Sequence, residues 1–166
     1  MDFEAPADAW FVFLGVSLVS VAMFGVVQAL PSEPPPDGNA VANTVDEVAG
    51  SGYNATATYD HDADEYYVHS EGIQLRNDGG RSDAAIAYGE LAPVWPDDDL
   101  KAVLDGTDIT DVYSDPSDFE TAYEDSQDAA VDRLDDDAKQ DWLPADGRLR
   151  IRHIVWHDIH VTLVDV

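Results

Sequence analysis

The sequence predicts an α+β protein: an N-terminal transmembrane helix followed by a small antiparallel-sheet domain with one or two packed helices. Three features support this prediction. Residues 10–30 form an uncharged apolar run, short segments beyond residue 54 alternate apolar and polar side chains, and a helical pattern begins near residue 117. The length of 166 residues accommodates one compact domain beside such an anchor.

The apolar run reads WFVFLGVSLVSVAMFGVVQAL and contains no charged side chain. As a helix it would measure roughly 31 Å, about the hydrocarbon core of a bilayer. Trp10 suits the interfacial zone, and residues 1–9 form a short acidic tail instead of the basic start of a signal peptide. We therefore predict a retained membrane span at residues 10–30, with a cleaved signal or a buried soluble helix as alternatives.

The positive-inside rule predicts orientation from the Lys and Arg residues that flank a membrane span. The first cation in this chain is Arg76, so the rule gives little support to either orientation. We expect a cell-membrane protein whose domain, residues 38–166, is extracellular. Asn54, Ala55 and Thr56 form an N-glycosylation sequon, which makes Asn54 a candidate glycosylation site and fits an exterior domain.

A proline-rich spacer and a short helix follow the predicted anchor. Residues 31–37 read PSEPPPD and favour an extended polyproline conformation. Residues 38–49 place Val41, Val45 and Val48 on one helical face, and a glycine follows them. The pattern predicts an amphipathic helix that begins the exterior domain.

Four segments show the period-two alternation of half-buried strands: 54–59, 65–70, 73–76 and 84–88. Residues 60–64 would form the turn between the first two. Residues 77–80 read NDGG, whose members tolerate a positive φ, so the last two segments are predicted to form a hairpin.

Helical segments and a closing pair of strands complete the prediction. A short helix is expected from Pro96–Asp99 through Leu104. The capping-box spacing of Ser117 and Glu120 predicts a surface helix that runs to about Trp142. Residues 148–166 are rich in β-branched side chains and should form one or two strands that close the sheet.

Acidic residues outnumber basic ones by 35 to 8, which gives a net charge of −27. Binding to phosphate backbones requires Lys and Arg, so nucleic acid is excluded as a partner, and docking on anionic lipid headgroups is disfavoured. The absence of Cys removes disulfides, thiolate catalysis and cysteine-based zinc sites.

Two clusters resemble metal sites by spacing. Asp60, Asp62 and Asp64 have the 1-3-5 spacing of a calcium loop with Glu71 at position 12, although position 6 holds Glu65 where such loops need Gly. In a chain so rich in Asp, a solvated turn is the favoured interpretation.

His153, His157 and His160 lie within eight residues, beside Asp158, and could hold zinc if a turn brought them together. Histidines on a strand face are the favoured alternative. No phosphate-binding loop or nucleophile elbow is present in the sequence. We therefore predict no catalytic residue and no cofactor.

Arg148, Arg150 and Arg152 alternate along one predicted strand and would share one face. They could bind an acidic strand or helix of a partner. Pairing with the chain's own carboxylates is the favoured alternative.

The acidic composition resembles that of halophilic archaeal proteins, whose surfaces hold water and hydrated cations in molar salt. A hydrophobic N-terminal helix, a helix such as NAVANTVDEVAG and hairpin segments such as ATATYD and GIQLRNDGG resemble small haloarchaeal membrane-anchored proteins of pilin-like type. The resemblance covers residues 10–90. The chain lacks the basic leader of prepilins, and its prolines would interrupt the long pilin helix, so the resemblance implies a type IV pilus-associated accessory protein.

We accordingly expect a single-pass, non-enzymatic accessory subunit of a surface or type IV pilus-like assembly. It would contact membrane lipid through residues 10–30 and protein partners through its exterior domain. A filament-forming pilin-like subunit is one alternative. A membrane-tethered metal-dependent hydrolase that uses the three histidines and Asp158 is another.

Overall fold

The computed structural model describes residues 7–28, 33–133 and 142–166. The chain divides into two compact units, with the boundary between Ser32 and Glu33. The described part of the first unit is a helix, and that of the second is an α+β domain. The α+β fold class with antiparallel strands and packed helices is therefore confirmed.

The helix of the first unit is α1 (Ala7–Gln28). Its side chains are described from Trp10 to Phe24, and the large apolar ones are exposed, from 47% at Leu14 to 72% at Val21. Among the residues that the structure describes, no helix is long and apolar enough to cross a membrane. The span predicted for residues 10–30 stays a prediction.

Within residues 33–133 and 142–166 the second unit contains twelve elements in chain order: α2 (Gly38–Ala49), β1 (Ala55–Asp60), β2 (Glu65–His69), β3 (Gly72–Asn77), β4 (Gly80–Ala85), β5 (Leu91–Pro93), α3 (Asp98–Leu104), α4 (Ile109–Val112), α5 (Pro116–Asp132), β6 (Leu143–Pro144), β7 (Arg148–Trp156) and β8 (Ile159–Asp165). The strands form two four-stranded sheets. The first has the order β1-β7-β8-β5, and the second has the order β4-β3-β2-β6.

Helix α2 has the bounds that its sequence predicts. Asp37 precedes it and accepts a hydrogen bond of 3.0 Å from the Ala40 amide, which satisfies an otherwise free donor of the first turn. Val41, Val45 and Val48 are buried on one face. They pack with side chains of both sheets, so α2 contributes to the core that joins the two sheets.

A second core lies on the other face of the first sheet. Ile154 and Val161 of the β7–β8 pair meet Leu100 of α3 and Phe119 of α5 there. Tyr67 connects this region to the second sheet, because its hydroxyl donates a hydrogen bond of 2.8 Å to the Ala130 carbonyl of α5. The β7–β8 part of the first sheet is therefore covered on both faces.

The described part of the proline-rich spacer lies against the β3–β4 turn. The Asn77 side-chain amide donates to the Pro34 carbonyl at 3.0 Å. A Cβ at Gly79 would meet the Pro34 carbonyl oxygen at 2.6 Å and the Glu33 carbonyl more closely still. Glycine is therefore required at this turn by close backbone approach, whereas the sequence pattern indicated only its turn propensity.

The strand arrangement differs from the prediction in three ways. The predicted single sheet is wrong, because residues 60–64 carry the chain from β1 in one sheet to β2 in the other. Strand β4 covers Gly80–Ala85, not 84–88, since its register follows from a tight Asp78-Gly79 turn. The sequence also missed β5, a short strand parallel to β8.

The long surface helix also begins and ends differently. Its N-cap is Asp115, whose carboxylate accepts from the Ser117 amide at 2.9 Å, so the predicted capping box of Ser117 and Glu120 is wrong. Pro116 occupies the first turn, where no amide hydrogen is needed. The described helix ends at Asp132, and Trp142 lies outside it. Two members of the predicted apolar stripe, Leu134 and Ala138, lie outside the described residues.

Candidate functional site

The three candidate histidines and the three arginines lie on the hairpin formed by β7 and β8. Its turn comprises His157 and Asp158, and the ladder pairs Trp156 with Ile159. Because side chains alternate across a strand, Arg148, Arg150 and Arg152 share one face of β7, as predicted. The hairpin pairs Arg150 with Asp165 of β8.

Arg150 binds three carboxylates of its own chain. Its guanidinium contacts the carboxylate of Asp165 and lies 3.3 Å from Asp105 and 3.4 Å from Asp146. Asp165 is only 7% exposed and also binds the Lys101 ammonium at 3.3 Å. This network ties β7 and β8 to the end of α3 and to the loop that precedes β7.

The other two arginines of the strand also have partners within the chain. Arg148 Nε lies 3.2 Å from Asp60 Oδ1 of the neighbouring strand. Arg152 donates hydrogen bonds to the carbonyls of Val103 and Thr107, the latter at 3.1 Å. A cation at the C-terminal end of α3 stabilises carbonyls that have no partner in the helix. The favoured alternative, pairing with the chain's own carboxylates, is therefore confirmed for Arg148 and Arg150, whereas Arg152 pairs within the chain with carbonyls.

The other described cations also have partners within the chain. Each Lys or Arg side chain within residues 33–133 and 142–166 contacts a carboxylate, an aromatic ring or a carbonyl of the chain: Arg76, Arg81, Lys101, Arg133, Arg148, Arg150 and Arg152. Arg76 binds Glu65 at 2.5 Å and lies 4.4 Å above the Trp142 ring. The described cations are thus used in contacts within the domain.

The structure brings together two of the three candidate zinc ligands. His153 and His160 lie on the same face of the hairpin, with ring centroids 6.2 Å apart. Along one continuous strand they would have opposite parity, so their convergence requires a turn, and the two-residue turn at His157 and Asp158 provides it. His157 itself lies in that turn with a φ of 57° and is exposed.

His153 has a structural role in the first sheet. It is 3% exposed, and its Nδ1 lies 3.1 Å from the Thr162 hydroxyl of the paired strand. Burial, followed by the nearby His160, lowers the pKa of His153 below its ordinary value. A lowered pKa favours the neutral ring, which can share a hydrogen bond with the hydroxyl.

The predicted calcium-loop spacing does not produce a loop around one centre. Strand β2 lies between Asp64 and Glu71, and five extended residues span roughly 17 Å. The Asp64 amide donates to the Arg76 carbonyl of β3 at 2.9 Å, so the backbone at Asp64 is held by β3. Throughout residues 7–28, 33–133 and 142–166, no three His, Asp or Glu side chains group closely enough to hold a metal ion.

Asn54 is exposed at the start of β1, as a glycosylation acceptor must be. Its side-chain oxygen accepts a hydrogen bond of 2.6 Å from the Val155 amide, which replaces a ladder bond at the end of the sheet. The side-chain nitrogen, the atom that a glycan would modify, is not used in this bond. Glycosylation at Asn54 stays a prediction that this geometry permits.

Sequence reasoning missed Asp165 and Lys101, which hold the centre of the charge network. A hairpin turn at residues 157–158 makes Asp165 the cross-strand partner of Arg150, so the position of that turn is the signal that points to Asp165. Lys101 lies on α3, far along the chain, and no sequence spacing connects it to Asp165.

Comparison with known proteins identifies a family. The model of a family of unknown function, DUF7283, matches residues 4–154. No curated protein and no solved structure matches the chain.

Proposed function

The chain belongs to the DUF7283 family, and we propose that it is a single-pass, membrane-anchored, non-enzymatic subunit of a haloarchaeal surface assembly. Residues 10–30 would form the anchor, and the acidic α+β domain would lie outside the cell. The observation that carries this proposal is the exposed apolar surface of α1.

That surface surrounds the helix. Five consecutive apolar side chains, Trp10 to Leu14, are between 47% and 71% exposed. Because an α-helix has 3.6 residues per turn, five consecutive positions point in all directions around its axis. An apolar surface of this kind is unfavourable in water and favourable in lipid.

The length of the apolar run supports an anchor that crosses the bilayer. In the sequence the uncharged run continues six residues beyond Phe24, to Leu30. A helix over the whole run would measure roughly 31 Å, against roughly 30 Å for the hydrocarbon core. The run therefore has the length of one span.

The charge distribution supports a location in molar salt. Acidic side chains outnumber basic ones by 35 to 8, and the described cations have partners inside the domain, so the chain carries a large uncompensated negative charge. High salt screens their mutual repulsion and makes such a surface tolerable. The same acidity would favour a partner protein that presents basic side chains.

Membrane fractionation of the full chain tests the anchor. We expect the protein to remain with membranes after washing in molar salt and to be released by detergent. The double variant Val16→Asp/Val19→Asp should leave the membrane fraction, because two carboxylates at the centre of the run oppose insertion. The matched variant Val16→Leu/Val19→Leu should stay. A wild-type protein found in the soluble fraction would overturn the proposal.

The assembly role requires a separate measurement. Cross-linking of intact cells in molar salt, followed by purification of the full chain, should recover the same membrane or surface proteins reproducibly. In filaments purified from these cells, the main component should be a protein other than this chain. Filaments built mainly of this chain would instead support the pilin-like alternative, and a chain without reproducible partners would contradict both.

A further inference from the structure

Strand β1 forms an edge of the first sheet. Its neighbour on one side is β7, and the sheet order ends there. Within the described part of the chain, no strand and no loop hydrogen-bonds to its other side. An edge strand of this kind presents unpaired N–H and C=O groups that can pair with another strand.

The residues whose backbone points outward can be identified from the ladder. The His61 amide donates to the Gly147 carbonyl at 3.0 Å, in the same register that pairs Asp60 with Arg148. In an antiparallel ladder, hydrogen-bonded pairs alternate with pairs that are not hydrogen-bonded. Thr56, Thr58 and Asp60 therefore direct their N–H and C=O groups away from β7.

We propose that this edge pairs antiparallel with the same edge of a second copy, about a two-fold axis at Thr58. In this register Thr58 faces its own counterpart, and Thr56 faces Asp60 of the second copy. The three outward residues of each strand would form about six main-chain hydrogen bonds across the interface. The first sheet of one copy and the first sheet of the other would then form one continuous sheet of eight strands.

The sequence of β1 fits a second copy in this register. Thr58 beside Thr58 is a favourable cross-strand pair, and no like charges lie directly opposite. A two-fold axis at Asp60 would place two carboxylates opposite each other, which is unfavourable. The strand also lacks the Lys and Pro residues that usually block edge pairing.

A shift of one residue is less favourable. With the axis at Ala57, the outward pairs would be Thr56 with Thr58 and Asp60 with Asn54. Asn54 precedes β1 and uses its side chain to bind the Val155 amide. Only the axis at Thr58 uses three outward residues that all belong to the strand.

The two copies carry like net charge, so their association depends on salt. At molar ionic strength charges are screened over roughly 3 Å, and at 0.1 M over roughly 10 Å. We expect the dimer in molar salt and its dissociation at low salt. This inference depends on β1 alone and does not require that the chain be membrane-anchored.

Cysteine cross-linking tests the register without ambiguity, because the chain contains no Cys. Hydrogen-bonded antiparallel pairs have Cα atoms roughly 5.5 Å apart, within the roughly 4.4–6.8 Å that a disulfide requires. Under oxidation in molar salt, the full-length Thr58→Cys variant should become a disulfide-linked dimer. Thr56→Cys, on the same exposed face but opposite Asp60, should dimerise without forming the disulfide. Equal cross-linking of both variants, or cross-linking of Ala57→Cys and not Thr58→Cys, would overturn the proposal.

A proline substitution gives an independent readout. Thr58→Pro removes an outward amide hydrogen that has no partner within the described chain, so it should abolish dimer formation while the circular dichroism spectrum is retained. Thr58→Val keeps the amide and should dimerise as the wild type does. The oligomeric state of the detergent-solubilised chain is measured by sedimentation in molar salt. A wild-type protein that is monomeric at high protein concentration there would refute the inference even if both variants fold.

Discussion

The Asp165 carboxylate contacts the Arg150 guanidinium across the β7–β8 ladder, on the face of the sheet opposite the one that α2 covers. Asp165 is nearly buried, and Lys101 binds it from α3. Arg150 extends the network to two further carboxylates. The chain has 35 acidic and only 8 basic residues, and two of those basic residues, Lys101 and Arg150, bind the same carboxylate of Asp165.

Removal of the Asp165 charge should destabilise the domain. Asp165→Asn leaves Arg150 and Lys101 without their least exposed partner, and we expect the free energy of unfolding to fall by about 2 kcal/mol. That value is below the cost for a fully buried pair, because Arg150 and Lys101 are partly exposed and screened by solvent. Urea denaturation in molar salt measures the change.

Asp146→Asn is the matched control for this prediction. Asp146 contacts the same guanidinium at 3.4 Å, but its side chain is 57% exposed. Exposed ion pairs contribute little, so the loss should stay below about 0.5 kcal/mol. Equal losses for the two variants would contradict the central role of Asp165.

The close approach at Gly79 leads to a second prediction. Gly79→Ala places a methyl group against the carbonyls of Glu33 and Pro34, so the β3–β4 turn or the spacer must shift. We expect a loss of about 2 kcal/mol in the free energy of unfolding, typical of overpacking. Gly52→Ala is the control, since a Cβ there meets no atom within 4 Å, and its effect should lie within about 0.5 kcal/mol. Similar losses for Gly79→Ala and Gly52→Ala in thermal or urea unfolding would argue against the close approach of Gly79 to Glu33 and Pro34.

The buried histidine predicts a pH dependence. The pKa of His153 is lowered in the folded state by burial and by His160, so the unfolded chain binds a proton more readily. Stability is therefore fully present above the ordinary histidine pKa of about 6.5 and is lost as pH falls below it towards the folded value. His61 and His69, whose pKa values burial also lowers, contribute in the same direction.

A single variant separates the contribution of His153. Gln at this position retains a polar side chain that can bond to Thr162, but it does not titrate. His153→Gln should therefore lose less stability than the wild type when the pH is lowered from about 7 to about 5. The measurement is the free energy of unfolding by urea at each pH in constant molar salt. A profile parallel to that of the wild type would show that His153 does not titrate differently on folding.

Salt should stabilise the domain strongly. The described cations have internal partners, so the remaining acidic side chains repel one another across the surface. Lowering the salt from molar to about 0.1 M extends this repulsion to roughly 10 Å and should reduce or abolish the folded structure. Circular dichroism in potassium chloride measures the change, with an equally concentrated neutral osmolyte as the control. A spectrum that does not change over this range would contradict the halophilic interpretation.

The local pattern predicted the elements whose formation depends on near neighbours. The valines of α2 repeat with the helical period and are buried together, and the NDGG segment forms a hairpin turn. The capping residue of α5 was misassigned because two acceptors, Asp115 and Ser117, precede the same helix. Pro116 at the first helical position distinguishes them, since it suits the residue directly after the cap.

The sequence by itself determined the amphipathic helix, the β3–β4 hairpin turn, the acidic charge of the chain and the arginines that share one face of β7. These follow from periodicity, turn chemistry and composition, which act over a few residues. Only the tertiary structure decided that the strands form two sheets, that β5 runs parallel to β8, and that Lys101 meets Asp165. Strand alternation shows which face of a strand is buried, but the choice of neighbouring strand depends on contacts between residues far apart in the chain.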